Sequence, residues 1–89
     1  MKAFITVFGK DKIGIIHGVT TVLKEYQVNI LDINQTLLQE NFTMFMLVDL
    51  ALMPIDFKEL KEKLEVCGKD LGMSIKIQHE DIFRSMHTI

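Results

Sequence analysis

Arginine, cysteine and proline are all scarce in this chain, and each shortage excludes something. Arg84 is the only arginine, and the formal net charge is −2. A nucleic-acid binder usually presents a basic face rich in arginine. Here the lysines are spread along the chain, and those between Lys58 and Lys63 are interleaved with Glu59 and Glu62, the pattern of a solvated helix face. Direct nucleic-acid binding is not expected. Cys67 is the only cysteine, so no internal disulfide can form and a reducing compartment fits best. The single proline, in a chain that is 48% hydrophobic, marks a compact fold rather than a disordered segment. No apolar stretch approaches the length of a membrane span. Met1-Lys2 leads into no long apolar segment with a small-residue cleavage site, so the expected location is the cytoplasm.

Reactive constellations are equally scarce. His17, His79, His87 and Cys67 lack the spacing of a zinc site. Gly9 and Gly14 have the glycine spacing of a P-loop, but Ile15 and Ile16 stand where that loop needs Lys and Ser or Thr. No G-x-G-x-x-G occurs. No catalytic residue, metal or cofactor is expected from these patterns.

What is present centres on Gly9-Lys10-Asp11-Lys12-Ile13-Gly14-Ile15-Ile16. Residues 2–8 read as a strand, with Phe4, Ile5, Val7 and Phe8 apolar and Thr6 β-branched. Ile15, Ile16, Val19, Val22, Leu23 and Tyr26 then recur at helical spacing, predicting a helix from about residue 13 to 26 or 27. Gly9 is expected to supply a positive φ in the turn, and Gly14 a close approach to another backbone or to a ligand. Asp11 is placed to cap the helix or to carry negative charge at its positive end. The unpaired N–H groups of a helix start form a natural seat for a carboxylate. Gly18, inside the helix, predicts close packing against a neighbouring element. His17 is either a half-exposed helix residue or a ligand contact near the turn.

A second strand is predicted over 28–38, a polar hairpin turn over 39–41 and a third strand over 42–50. Both faces of the third strand carry apolar side chains. Asp56 and Glu59 resemble a capping box, and Phe57, Leu60, Leu64, Cys67 and Leu71 form the stripe of a second helix closing near Gly72. Cys67 belongs to that stripe as a small buried hydrophobe. Met73, Ile75 and Ile77 alternate with Ser74, Lys76 and Gln78 in a fourth strand. Beyond it, Ile82, Phe83, Met86 and Ile89 fit one face of a short tail helix that would cover the open face of a sheet, its own or a partner's.

The order β-α-β-β-α-β predicts an α+β fold of the ferredoxin-like kind: a four-stranded antiparallel sheet in the order 4-1-3-2, with two right-handed crossover helices on one face. The 89 residues are read as one domain, with a core of about 2–79 and a tail of about 80–89. A chain this size buries only roughly 60–65% of its unfolded surface. Its high apolar content suggests that a partner chain covers some of the remainder.

Asp11-Lys12-Ile13-Gly14-Ile15 resembles the D-x-x-G-hydrophobic signature that opens the first helix of ACT domains. Val28-Asn29-Ile30 resembles the pair that begins their second strand, and Phe42-Thr43-Met44 fits their third. The likeness covers about residues 2–79, and the tail is similar to that of small stand-alone ACT proteins. The resemblance implies a non-catalytic regulatory domain binding small molecules, typically amino acids, as a homodimer or higher homo-oligomer whose ligands lie at the interface. The positions it carries over are Asp11, Lys12, Ile13, Gly14, Ile15 and Ile16, with Asn29 and Ile30. Backbone N–H groups near Gly14 would hold a carboxylate, while Asp11 or Asn29 could meet an amino group. Two rivals share the topology. A ligand-free dimeric interaction module fits the same sequence. An acylphosphatase-like enzyme resembles it less, because its anion-binding loop needs an arginine where this one has only lysines.

Overall fold

A computed structural model describes residues 1–81. The predicted tail helix lies almost wholly outside the described residues, which hold only its first two positions, Glu80 and Asp81, both helical. The elements are β1 (Lys2–Lys10), α1 (Ile15–Glu25), β2 (Asn29–Leu38), β3 (Asn41–Asp49), α2 (Phe57–Leu71) and β4 (Ser74–His79). The strands form one antiparallel sheet in the order β2-β3-β1-β4, the expected ferredoxin-like arrangement.

Alternation sets the two faces of the sheet. Ala3, Ile5 and Val7 of β1 and Met44, Met46 and Val48 of β3 are fully buried under the helices. Val19 and Leu23 of α1 and Leu60 and Leu64 of α2 close the core from above. β2 forms one edge and is bulged between Ile30 and Asp32. From Leu31 to Leu38 every residue of β2 is exposed.

Local chemistry fixes the ends of α2 as expected. Asp56 Oδ1 accepts the Glu59 amide at 2.8 Å, and Gly72 closes the helix at φ 70°. At α1 three expectations fail. Gly14 sits at φ 92°, which no helical residue adopts, so the helix starts at Ile15 rather than near residue 13. No side chain caps it, so Asp11 is not the cap. Gly9 lies within β1 rather than in the turn, and a Cβ there would fall 2.7 Å from Met73 Sδ. A Cβ on Gly14 would meet nothing within 4 Å. Within the chain, then, Gly9 serves close packing and Gly14 serves a left-handed backbone. Gly18 behaves as expected, since its added Cβ would lie 3.0 Å from Leu71 Cδ1 of α2.

Candidate functional site

The turn between β1 and α1 is short and anchored. Lys10 pairs with Asn41, and the Asp11 amide donates to the Glu40 carbonyl at 2.8 Å, tying the turn to the β2–β3 hairpin. Gly14 then reverses the chain through its left-handed φ, and its carbonyl accepts the Gly18 amide at 2.8 Å as the first helical bond. The first turn of α1 holds no acidic residue and no side-chain cap. Its N–H groups and its share of the helix dipole stay available to an anion.

The candidate side chains diverge around this turn. Ile13 is fully exposed, an apolar knob beside the helix start. Ile15 is buried in the core, whereas Ile16 keeps 40% of its surface. Lys12 runs toward the end of α2: a Cβ on Gly72 would lie 3.0 Å from its Nζ, which places the ammonium by the negative end of that helix. Asp11 is exposed.

Asn29 and Ile30 lie elsewhere. Asn29 pairs with Asp49, which pairs with Lys2, so the start of β2 is level with the start of β1. Lys10, at the other end of β1, is eight residue steps away, or about 27 Å of strand. Within one chain the turn and the Asn29-Ile30 pair therefore do not meet. Instead Asn29 and Ile30 help line a recess of about 660 Å³ beneath α1, together with His17, Thr20, Thr21 and Lys24. The resemblance placed the turn and the strand start at an interface between two domains. β1 and β2 run parallel, so the end of one and the start of the other are at opposite ends of one chain's sheet.

His17 also reaches a second groove, of about 440 Å³, between the two helices, lined by Thr21, Tyr26, Lys63, Val66 and Cys67 among others. Sequence patterning did not reveal this groove, because it depends on Gly18 letting α1 settle against Leu71. The Cys67 thiol is partly buried there, and burial, followed by the nearby Asp70 carboxylate, pushes its pKa above the ordinary 9.0. It stays protonated at neutral pH and is a poor nucleophile. Among the described residues, no cluster of three His, Cys, Asp or Glu could hold a metal ion. Among them too, no helix is long and apolar enough to cross a membrane.

The ferredoxin-like sheet in the order β2-β3-β1-β4, with two helices on one face, is the fold of ACT domains. The sequence model of the ACT domain matches residues 2–78, and this chain belongs to that family. It is 56% identical over all 89 residues, covering the whole of both chains, to a UPF0237 protein of Clostridium acetobutylicum. An ACT domain protein from Streptococcus pneumoniae superimposes with a TM-score of 0.82 at 46% identity, with 93% of each chain covered. The regulatory subunit of aspartate kinase from Thermus thermophilus, in its ligand-free form, matches with a TM-score of 0.66 at 25% identity. That match covers 86% of this chain and 50% of that one. ACT domains are typically regulatory, ligand-binding and non-catalytic.

Proposed function

We propose that this chain is a regulatory domain that works as a homodimer and binds a small carboxylate-bearing metabolite, in the first instance an amino acid. The site is composite: residues 11–16 of one chain with Asn29 and Ile30 of a second. The observation that carries this reading is the separation of the two halves to opposite ends of the sheet, beside a bare β2 edge. A second chain running antiparallel along β2 brings its Asn29 to the end where the first chain's turn stands. The open N–H groups at Ile15 and Ile16 then meet the carboxylate, and Asn29 or Asp11 meets the amino group. Ile13 and Ile16 supply apolar walls.

A thermal-shift series with the common amino acids tests the reading. A ligand at a hundred times its dissociation constant stabilises each site by about 2.7 kcal/mol. For a domain this small, that raises Tm by on the order of 10 °C. Asp11 caps no helix and Asn29 is exposed. Asp11→Ala and Asn29→Ala should therefore leave the baseline Tm nearly unchanged while removing the shift. If no amino acid moves Tm at millimolar concentration, the ligand-free interaction module becomes the better account.

A further inference from the structure

β2 has β3 on one side only, and among the described residues no strand lies along its other side. A row of backbone donors and acceptors is therefore open to a further strand. Ile33, Gln35 and Leu37 pair with Met46, Met44 and Phe42, all buried, so the three face the helix layer. Yet Ile33 and Leu37 keep 43% and 56% of their surface. Around Gln35 the sequence is symmetric in character: Asn34 and Thr36 are polar, Ile33 and Leu37 aliphatic. A strand of this kind is complementary to its own reversed copy.

We propose that the β2 strands of two copies pair antiparallel with Gln35 on the two-fold axis, so that Ile33 of each copy packs on Leu37 of the other. This rests on the homodimer proposed above and fixes its register. A two-fold axis normal to the sheet keeps helix-side residues on the same side in both copies. Directly opposed residues share a side, so the residue on the axis faces itself. Asp32 on the axis sets carboxylate against carboxylate. Leu31 is the bulged residue, because Ile30 and Asp32 pair with the consecutive Val48 and Leu47. Allowing for it, an Ile33 axis sets Gln35 against Ile30, an Asn34 axis sets it against Ile33, and a Thr36 axis sets it against Leu37. The Gln35 axis matches aliphatic with aliphatic and amide with amide.

The same register completes the composite site. Leu38 and Lys10 both pair with Asn41, so they are level. With Gln35 on the axis, Asp32 of the second copy falls opposite Leu38. Its Ile30 and Asn29 then stand one and two steps beyond Lys10, where the chain runs on into Asp11 and Lys12. An Asn34 axis stops Asn29 level with Lys10, and an Ile33 axis stops it level with Phe8, short of the turn.

Oxidative cross-linking of single-cysteine variants tests the register without any ligand. Cys67→Ser removes the one native thiol, and Ile33→Cys, Asn34→Cys, Gln35→Cys and Thr36→Cys are each made in that full-length chain. Facing copies of residue 35 have Cα atoms about 4.5–5.5 Å apart, inside the range of about 4.4–6.8 Å that a disulfide spans. Facing copies of residues 34 and 36 lie on diagonals of about 7–8 Å, and those of residue 33 lie farther still. Gln35→Cys should therefore form covalent dimer about tenfold faster than the other three. A one-to-one mixture of Ile33→Cys and Leu37→Cys should give the mixed dimer. Circular dichroism confirms that each variant is folded. Fastest linkage at Ile33→Cys, Asn34→Cys or Thr36→Cys overturns the register and keeps the β2 pairing. Equal rates at all four positions mark random collision and overturn it too. No linkage at any position, with a monomeric mass in native mass spectrometry, overturns the β2 homodimer itself and leaves that edge to another protein.

Discussion

β3 and β2 are neighbours in the sheet and have similar alternating sequences, but they live in different environments. Met46 and Ile33 are directly paired and face the same way, yet Met46 is fully buried and Ile33 is 43% exposed. Phe42 and Leu37 repeat the contrast, at 7% and 56%. The helices bury the inner faces of β3, β1 and β4 but leave β2 exposed beyond Ile30. Alternation decides which side a residue faces, while the width of the helix layer decides how deeply it is buried.

The sharpest way to break this contrast is to truncate both members of one pair. Met46→Ala opens a cavity in a core that cannot collapse freely and should cost about 2–5 kcal/mol. Ile33→Ala removes a side chain already half in water and should cost about 1 kcal/mol or less at low protein concentration. Urea denaturation measures both. The gap should narrow as concentration rises, because a second chain beside β2 would bury Ile33. A gap independent of concentration would count against β2 as the pairing edge.

A second contrast lies between glycines. Gly68 packs so tightly that an added Cβ would be 2.7 Å from the Met73 carbonyl oxygen, a backbone atom with nowhere to go. Gly68→Ala should cost about 1–3 kcal/mol through overpacking. Gly14 has open space around it and only its φ of 92° to protect. Gly14→Ala should cost less, about 1 kcal/mol, all of it backbone strain. Equal costs at the two positions would mean that Gly14 packs against something beyond its own chain.

These glycines show where sequence reading ran out. The stripes of both helices, the Asp56 cap and the Gly72 closure were legible because each rests on periodicity or on a local hydrogen bond, and the strand order because right-handed crossovers leave few ways to connect β-α-β-β-α-β. Why a glycine is needed was not legible at Gly9 and Gly14, since space and φ both demand the same residue. Only the fold shows which demand operates. Gly68 was overlooked although it falls four residues after Leu64, on the buried stripe, where the missing side chain was itself the signal. The β2–β3 turn and the strand ends moved by one or two residues, because hairpin hydrogen bonding extends pairing past the apolar run to Asn41 and Lys10. The exposure of β2 depends on what lies beside the strand, which its own residues do not encode.

The smallest expected effect concerns the closure that leads into β2. α2 ends with the Gly72 amide donating to Lys69 and the Met73 amide donating to Gly68, with Gly72 at φ 70°. α1 ends with the same pattern: Gln27 donates to Lys24, Val28 donates to Leu23 at 2.8 Å, and Gln27 sits at φ 57°. The bonds match, but α1 closes on a residue with a Cβ, and left-handed backbone costs such a residue about 1–2 kcal/mol. Gln27→Gly relieves that strain and gives back roughly 0.4–1 kcal/mol through the freer unfolded chain. A net gain of about 0.5–1 kcal/mol is expected, read as a higher urea midpoint at an unchanged slope. A loss instead would show that the Gln27 side chain makes contacts worth more than the strain. The natural place for those contacts is the neighbouring recess it shares with Lys24, Asn29 and Leu52. That result would extend the candidate ligand surface two residues upstream of Asn29.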